Sequence, residues 1–325
     1  MGEQAMEPMR VAVLCGGRSF ERAVSLRSGA AVEDALRELG HEPELIDTGP
    51  DTSRQLAVGG FDCAFVALHG EGGEDGAIQD LLELLHIPYT GARAAPSRGA
   101  YDKSHTKRVL IAAGLPTPPF VSLAARALQE FGAADAVSEA VDGVGLPLVV
   151  KPSTGGSALG IRLVSDAGEL PRALVTAMSY APHVLLERFV DGRELSINVL
   201  GTESPRTLPA VRIRPRQAEW YDFESRYTHG QTEFACPTDD VSDAELAEAE
   251  RVALASYAAL DLSGFGRVDI ILDSDGVPWV LELNSIPGLT DTSLLPLAAR
   301  TAGLELADVV RELLVDALRE AAAET

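Results

Sequence analysis

The chain has 325 residues, 46% of them hydrophobic, enough for a sizeable core and suggestive of more than one domain. Its formal net charge of −22, from 27 Lys and Arg against 49 Asp and Glu, argues against nucleic acid or an anionic membrane as a partner. Cys15, Cys63 and Cys236 are odd in number, far apart and free of any CxxC pair, which argues against a disulfide framework or a zinc cage.

In chain order, residues 1–10 lack the apolar core of a signal peptide, and no later apolar run reaches the ~20 residues of a membrane span. A cytoplasmic protein is the expectation. Residues 11–14 read as a buried strand, followed by Gly16-Gly17 and a helical stretch over 21–39 that Gly40 stops. Residues 61–68 are a second apolar strand ending in His69-Gly70, and residues 76–86 an amphipathic helix with Ile78, Leu81, Leu82 and Leu85 on one face. Strand, glycine turn and helix, repeated, predict a parallel α/β sheet. Residues 102–113 look helical. Residues 146–150 and 161–164 read as strands flanking a glycine loop, an antiparallel flap, and residues 184–189 as a further strand. Strands are expected over 195–200 and 208–213, then a long polar loop over 220–240, of a length that is often functional. A helix over 243–260, strands over 267–272 and 279–283, and a closing helix over 304–323 entered at Gly303 complete the reading.

Asp269, Glu282 and Asn284 lie on two strands joined by the turn formers Asp273-Ser274-Asp275-Gly276. Glu282 and Asn284 share a face by the period-2 rule, and Asp269 can face the same way from the paired strand. Such oxygen ligands suit Mg²⁺ held beside phosphates; a solvated polar strand face has the same pattern. In the loop 151–160, Gly155, Gly156, Ser157 and Gly160 let backbone N–H groups approach an anion, and Lys151 adds a point charge, without the Walker pattern. Lys103 is a second candidate cation. Residues 184–186 could offer backbone hydrogen bonds to an adenine edge, with Glu187 after them and Glu194 placed for ribose hydroxyls. Pro287-Gly288 is a turn in which Gly288 tolerates unusual φ and exposes its N–H beside Arg267, and Ser293 could bind a carboxylate. His69, alone at a strand end, is more often structural than catalytic.

Taken together these residues resemble the D-alanine–D-alanine ligase family of the ATP-grasp superfamily, over about residues 11–314. The matching stretches are Gly16-Gly17-Arg18-Ser19-Phe20-Glu21-Arg22-Ala23-Val24-Ser25, His69-Gly70-Glu71-Gly72-Gly73-Glu74-Asp75-Gly76, Pro88-Tyr89-Thr90-Gly91, Asp102-Lys103, Lys151-Pro152-Ser153, Gly266-Arg267-Val268-Asp269, and Glu282-Leu283-Asn284 running into Pro287-Gly288-Leu289-Thr290. Each motif is weak, but their order and spacing are specific. The resemblance implies an ATP-grasp architecture: an N-terminal parallel α/β domain over 1–92, a central domain with the flap over 93–191, and a C-terminal domain over 192–325 with the metal and acceptor site. It implies that ATP is held between the last two by Lys103, Lys151, Ser157, Glu187, Phe189, Val190, Glu194 and Arg226. Asp269, Glu282 and Asn284 would bind two Mg²⁺, with Mn²⁺ as an alternative. Glu21 would take the first amino acid's ammonium in a triad with Ser157 and Tyr227, with His69 nearby. Arg267 and the Gly288 N–H would hold an oxyanion, and Ser293 and Leu294 would contact the second amino acid.

The implied reaction makes D-alanyl-D-alanine for peptidoglycan precursors through an acyl phosphate, in a homodimer acting on small amino acids. This chain departs from the family at Arg226 for a lysine, Ala158 for a serine and Ser285 for a threonine, and arginine is not a neutral replacement for lysine. Tyr227 argues for an amine acceptor. A specialised ligase making another dipeptide, a non-catalytic nucleotide binder, and a dinucleotide oxidoreductase are the competing readings. The last lacks the GxGxxG spacing after Gly16-Gly17.

Overall fold

A computed structural model describes residues 7–132, 134–215 and 232–323. Strands β1 (Arg10–Cys15), β2 (Glu42–Asp47) and β3 (Cys63–Val66) form a parallel sheet in the order β2-β1-β3. From Val11 to Cys15, β1 is buried at every residue, as expected of a central parallel strand covered on both faces. Helix α1 (Arg22–Glu38) turns Ser25, Ser28, Gly29, Val32, Ala35 and Leu36 inward at the spacing of three and four that makes one helix face. Helices α2 (Thr52–Gly59), α3 (Ala77–Leu84) and α4 (Ala94–Tyr101) complete this region. Neither β2 nor α2 is expected from the sequence, because β2 is an edge strand whose Glu-Pro-Glu-Leu-Ile-Asp buries only Ile46 and so shows no apolar period.

Helix α5 (Lys103–Ala112) begins at Asp102, whose carboxylate accepts hydrogen bonds from the backbone N–H groups of Ser104 and His105, a polar N-cap. The second sheet is antiparallel: β4 (Phe120–Ala124), β5 (Leu148–Pro152), β6 (Arg162–Val164) and β7 (His183–Arg188), in the order β4-β7-β5-β6. The flap expected around residues 151–160 is the β5–β6 connection. Helices α6 (Ala125–Phe131), α7 (Ala134–Val144) and α8 (Leu170–Met178) accompany this sheet, and its core joins Leu148, Val150, Leu174, Val184 and Leu186.

The third sheet contains β8 (Arg193–Leu200), β9 (Arg206–Thr207), β10 (Val211–Pro215), β11 (Thr232–Ala235), β12 (Phe265–Leu272) and β13 (Pro278–Asn284). Its order is β11-β10-β8-β12-β13, with β9 added on β8. Helix α9 (Asp243–Ala259) packs on one face and opens with a reciprocal capping box between Ser242 and Glu245. Helices α10 (Leu294–Thr301) and α11 (Leu306–Ala323) return to the first sheet, where Leu295, Val309, Val310 and Leu313 share a core with Val11, Val13 and Phe65. Among the described residues no helix is long and apolar enough to cross a membrane.

Two expectations are corrected. Residues 232–235 of the expected loop 220–240 form β11, paired antiparallel with β10; residues 216–231 lie outside the described residues. Gly303 does not enter the last helix. It follows α10, its N–H donating to the Arg300 carbonyl in left-handed backbone, so it is a helix stop.

The first and third units meet at two glycines. Gly264 has φ +70°, and a Cβ there would lie 3.0 Å from the Gly91 Cα. Gly40, at φ +84° after α1, has open space around that position. Gly40→Ala should therefore cost only the left-handed backbone, about 1 kcal/mol. Gly264→Ala should cost roughly 2–4 kcal/mol, because backbone cannot move aside. Urea unfolding of the two variants measures the difference; equal losses would show that the close approach carries no weight.

Candidate active site

The third sheet turns its polar row away from α9. Asp269 pairs with Glu282 and with Ser196, and Arg267 pairs with Asn284 and with Asn198, so these side chains share one face. The alternation is not continuous. The β12–β13 register shifts between Asp269 and Ile270, so that Ile270 opposes Val280 and Leu281 is the extra residue. This bulge lets Val280 stay in the core, fully buried, while Glu282 faces the cleft. Unbroken alternation would put both on one side.

Asp269 is 4% exposed and is held by four donors. Its Oδ1 accepts from Ser196 Oγ at 2.9 Å and Arg267 Nε at 2.9 Å; its Oδ2 accepts from Arg267 Nη2 at 2.8 Å and Asn284 Nδ2 at 3.3 Å. Burial works against the Arg267 charge, but Asp269, then Glu282 and Glu74, hold the guanidinium firmly protonated. Lys103, at the start of α5, donates from Nζ to the Gly155 carbonyl at 2.6 Å and lies 3.1 Å from Glu282 Oε2. It thus ties the glycine loop to the third sheet. Among the described residues no three His, Cys, Asp or Glu side chains form a metal cage; the candidate set is two carboxylates and an amide.

Lys151, on β5, donates to Glu187 Oε1 at 2.7 Å, and Lys107 lies 2.6 Å from Glu187 Oε2. Burial would raise the Glu187 carboxyl, but the two ammonium groups hold it below its ordinary value. Burial pushes Lys107 down to about 8, against the pull of Glu187. Lys151, Glu187, Phe189, Val190, Glu194, Asp269 and Glu282 line a single cleft between the second and third sheets, closed on one side by Ala158 and Ile161 of the flap. The expected backbone offer from residues 184–186 is not available. β7 is an inner strand, paired with β4 and β5 on its two sides, so its ladder groups are already used. The ladder ends at Arg188, which leaves Phe189 and Val190 at the rim.

Glu21 is the N-cap residue of α1, and its Oε1 accepts from Ser157 Oγ at 2.5 Å across 136 residues of chain. Ser157 and Ala158 both have left-handed backbone, φ 57° and 55°. Each costs a residue with a Cβ ~1–2 kcal/mol, strain of the kind concentrated at ligand clamps. Gly156 packs against Glu21, 3.0 Å from where its Cβ would be. His69 is 5% exposed with both ring nitrogens engaged. Nδ1 lies 3.1 Å from the Ile286 carbonyl and therefore donates; Nε2, 2.9 Å from Ser28 Oγ, then accepts. Ser28 Oγ in turn accepts from the Leu289 N–H at 3.2 Å. His69 is a strut between α1 and the 286–289 segment.

Gly288 does not use an unusual φ. It is absent from the positive-φ residues; what it needs is the missing Cβ, which would lie 2.6 Å from Ser293 Oγ. Ser293 bonds the Thr290 N–H and hydroxyl at the entry to α10, where Leu294 begins the helix. Arg226 and Tyr227 lie outside the described residues. Sequence reasoning missed Lys107, Ser196 and Glu74. Lys107 was within reach, since it follows Lys103 by four residues on one helix face; Glu74 lies in a family-matching stretch without a role assigned to it, and Ser196 gives no sequence signal as a single polar residue.

The family model for the D-ala D-ala ligase N-terminus matches residues 48–92, and that for the C-terminus matches residues 109–315. A D-alanine–D-alanine ligase from Bordetella avium is 43% identical over 310 residues, covering 95% of this chain and 94% of its own. A D-alanine–D-alanine ligase from Bacillus anthracis, solved with ATP, is 30% identical with a TM-score of 0.82, covering 98% of this chain and all of its own. A D-Ala:D-Ser ligase from Enterococcus faecalis is 25% identical with a TM-score of 0.82, covering 96% of this chain and all of its own. With a matched C-terminal model spanning more than half its length and a 43% identical relative along nearly all of it, this chain belongs to the D-alanine–D-alanine ligase family.

Proposed function

We propose that this enzyme couples two D-alanines at the expense of ATP, releasing ADP and phosphate, and so supplies D-alanyl-D-alanine to peptidoglycan precursors. The observation that carries this reading is the convergence, in one cleft, of buried Lys151 and Glu187 from the second unit with Asp269 and Glu282 of the third, with Lys103 3.1 Å from Glu282 and with Arg267 and Asn284 bonded to Asp269. The named ligase relatives support it. A cytoplasmic location and a homodimer belong to the same proposal; light scattering on the purified protein tests the second.

In this reading Glu187, Phe189, Val190 and Glu194 frame the nucleoside. Lys103, Lys151 and the Ser157 loop neutralise phosphates, with Arg226 a further candidate. Asp269, Glu282 and Asn284 present hard oxygen donors, a set that fits Mg²⁺ or Mn²⁺, since the Asn284 amide can turn its oxygen to the position its nitrogen now takes. Two such ions, held by Asp269, Glu282 and Asn284, would supply charge neutralisation for the triphosphate. Glu21, bonded to Ser157, binds the ammonium of the first D-alanine, and Tyr227 is a further candidate for that triad. The carboxylate of this D-alanine attacks the γ-phosphorus, ADP leaves, and an acyl phosphate is formed. The second D-alanine, held by Ser293 and Leu294, attacks that carbonyl through its free amine, and phosphate leaves. Arg267 and the Gly288 N–H stabilise the tetrahedral oxyanion. His69 acts by fixing the 286–289 segment against α1. Most of the catalysis is positioning and charge neutralisation, and the flap keeps water from the acyl phosphate.

Three outcomes are expected. With ATP, Mg²⁺ and D-alanine as sole amino acid, mass spectrometry should detect D-alanyl-D-alanine; ATP turnover that needs a second, different amino acid would defeat the proposal. Asp269→Asn and Glu282→Gln should each lower kcat by at least ~10²-fold, as lost electrostatic stabilisation does, and phosphate release at wild-type rates in either would contradict the metal assignment. Ser157→Ala should raise KM for the first D-alanine about tenfold, the ~1.5 kcal/mol of a hydrogen bond to a charged group, with a smaller change in KM for ATP.

A further inference from the structure

Only three of the chain's 27 Lys and Arg are lysines, at positions 103, 107 and 151; every other cation is arginine. All three are buried, at 7%, 0% and 4% exposure; Lys151 lines the candidate nucleotide cleft, Lys103 meets Glu282 at its edge, and Lys107 reaches Glu187 of its lining from behind. Two of them carry proposed roles on phosphates. Lys107 touches no part of the cleft surface, yet it is the most buried of the three. In a chain that otherwise uses arginine for positive charge, a lysine at a fully enclosed position points to a demand for a compact ammonium that a wide guanidinium fork does not meet.

The surroundings define that demand. Lys107 Nζ donates to Thr117 Oγ1 at 2.5 Å and to the Pro118 carbonyl at 3.2 Å, and lies 2.6 Å from Glu187 Oε2. Its ammonium also stands 5.4 Å from the Phe120 ring centroid. Three polar partners account for its three N–H donors. Thr117 Oγ1 donates to the Val280 carbonyl at 2.8 Å, which connects the cluster to β13 of the hairpin that carries Asp269 and Glu282. On the other side, Glu187 Oε2 has no hydrogen-bond partner besides this ion pair, while Oε1 is engaged by Lys151. Without Lys107, the carboxylate would keep one cation, lose the reason for its orientation and leave a buried oxygen bare.

We propose that Lys107 is a positioning residue for the nucleotide: it holds the Glu187 carboxylate in the orientation in which Glu187 meets the purine edge. An ionised carboxylate only accepts hydrogen bonds. Anchored in this way, Glu187 favours a purine carrying an amino group at position 6 over one carrying an oxo group. The inference rests on the reading of Glu187 as a nucleoside contact given above. Lys107 takes no part in phosphoryl transfer and its loss acts on ATP binding and base choice, not on the chemical step.

The test uses the full-length enzyme with D-alanine and Mg²⁺, at a temperature where circular dichroism shows each variant folded. Lys107→Met, close in size and uncharged, should raise KM for ATP about thirtyfold, keep kcat within about threefold, and reduce the preference for ATP over inosine triphosphate about tenfold. Lys107→Arg should recover part of the ATP affinity. Glu187→Gln should lose the same preference, and the double variant should be no worse in it than either single one. A Lys107→Met enzyme with unchanged KM and base preference overturns the proposal while leaving the Glu187 reading intact, provided Glu187→Gln is impaired. A Glu187→Gln enzyme with unchanged base preference overturns that reading and the proposal with it. A fall in kcat that tracks the folded fraction, with KM unchanged, would make Lys107 a purely structural residue and also overturn it.

Discussion

A polyanionic nucleotide has to be held by a chain with 22 more acidic than basic side chains, and the long-range field of such a chain opposes that binding. The structure answers locally, by burial. Lys107 and Lys151 share the single carboxylate of Glu187, and Lys103 meets Glu282 at the edge of the same cleft. Two ammonium groups around one carboxylate leave a net positive charge in a region shielded from water, where each charge acts more strongly than at the surface. Burial works against the charge of Lys107 and of Glu187, and each offsets that cost for the other.

The same logic of mutual support governs the third sheet. Arg267 and Asp269, two residues apart on β12, form a two-point ion pair that is nearly closed to solvent. Such a pair contributes little to stability once desolvation is counted, but it gives orientation. Ser196 and Asn284 secure the remaining faces of the carboxylate. The arrangement depends on a one-residue irregularity in the facing strand, for without the bulge at Leu281 the hairpin could not place Val280 in the core and Glu282 in the cleft. The functional face is therefore a property of the register between β12 and β13, more than of either strand.

Contacts across units are concentrated where the proposed chemistry is. The Glu21–Ser157 hydrogen bond joins α1 to the flap, the Lys103–Gly155 bond joins α5 to the flap, and the His69–Ile286 bond joins the first sheet to the loop after β13. Each is a short polar link. Ser157 and Ala158 accept left-handed backbone to make the first possible. The candidate site draws its residues from all three units, so its geometry depends on their docking.

The amino-acid sequence determined a good deal by itself. Apolar runs and glycine punctuation sufficed for the parallel first sheet, for the antiparallel flap and for the hairpin that carries Asp269 and Glu282, because burial imposes a period of two or 3.6 on the chain. Family resemblance added the set of site residues through their order and spacing. Local patterns could not reveal β2, since an edge strand buries one residue in six, nor α10, whose stop at Gly303 reads equally well as a start. They could not say that Gly288 is small to admit Ser293, or that residues 184–186 have no backbone groups to offer. Only the tertiary structure decided these, and with them the contacts that His69 and Lys107 make. Each turns on which atoms lie within about 3 Å across tens or hundreds of residues of chain, and side-chain hydrogen bonds and shared burial carry no periodic trace along the sequence.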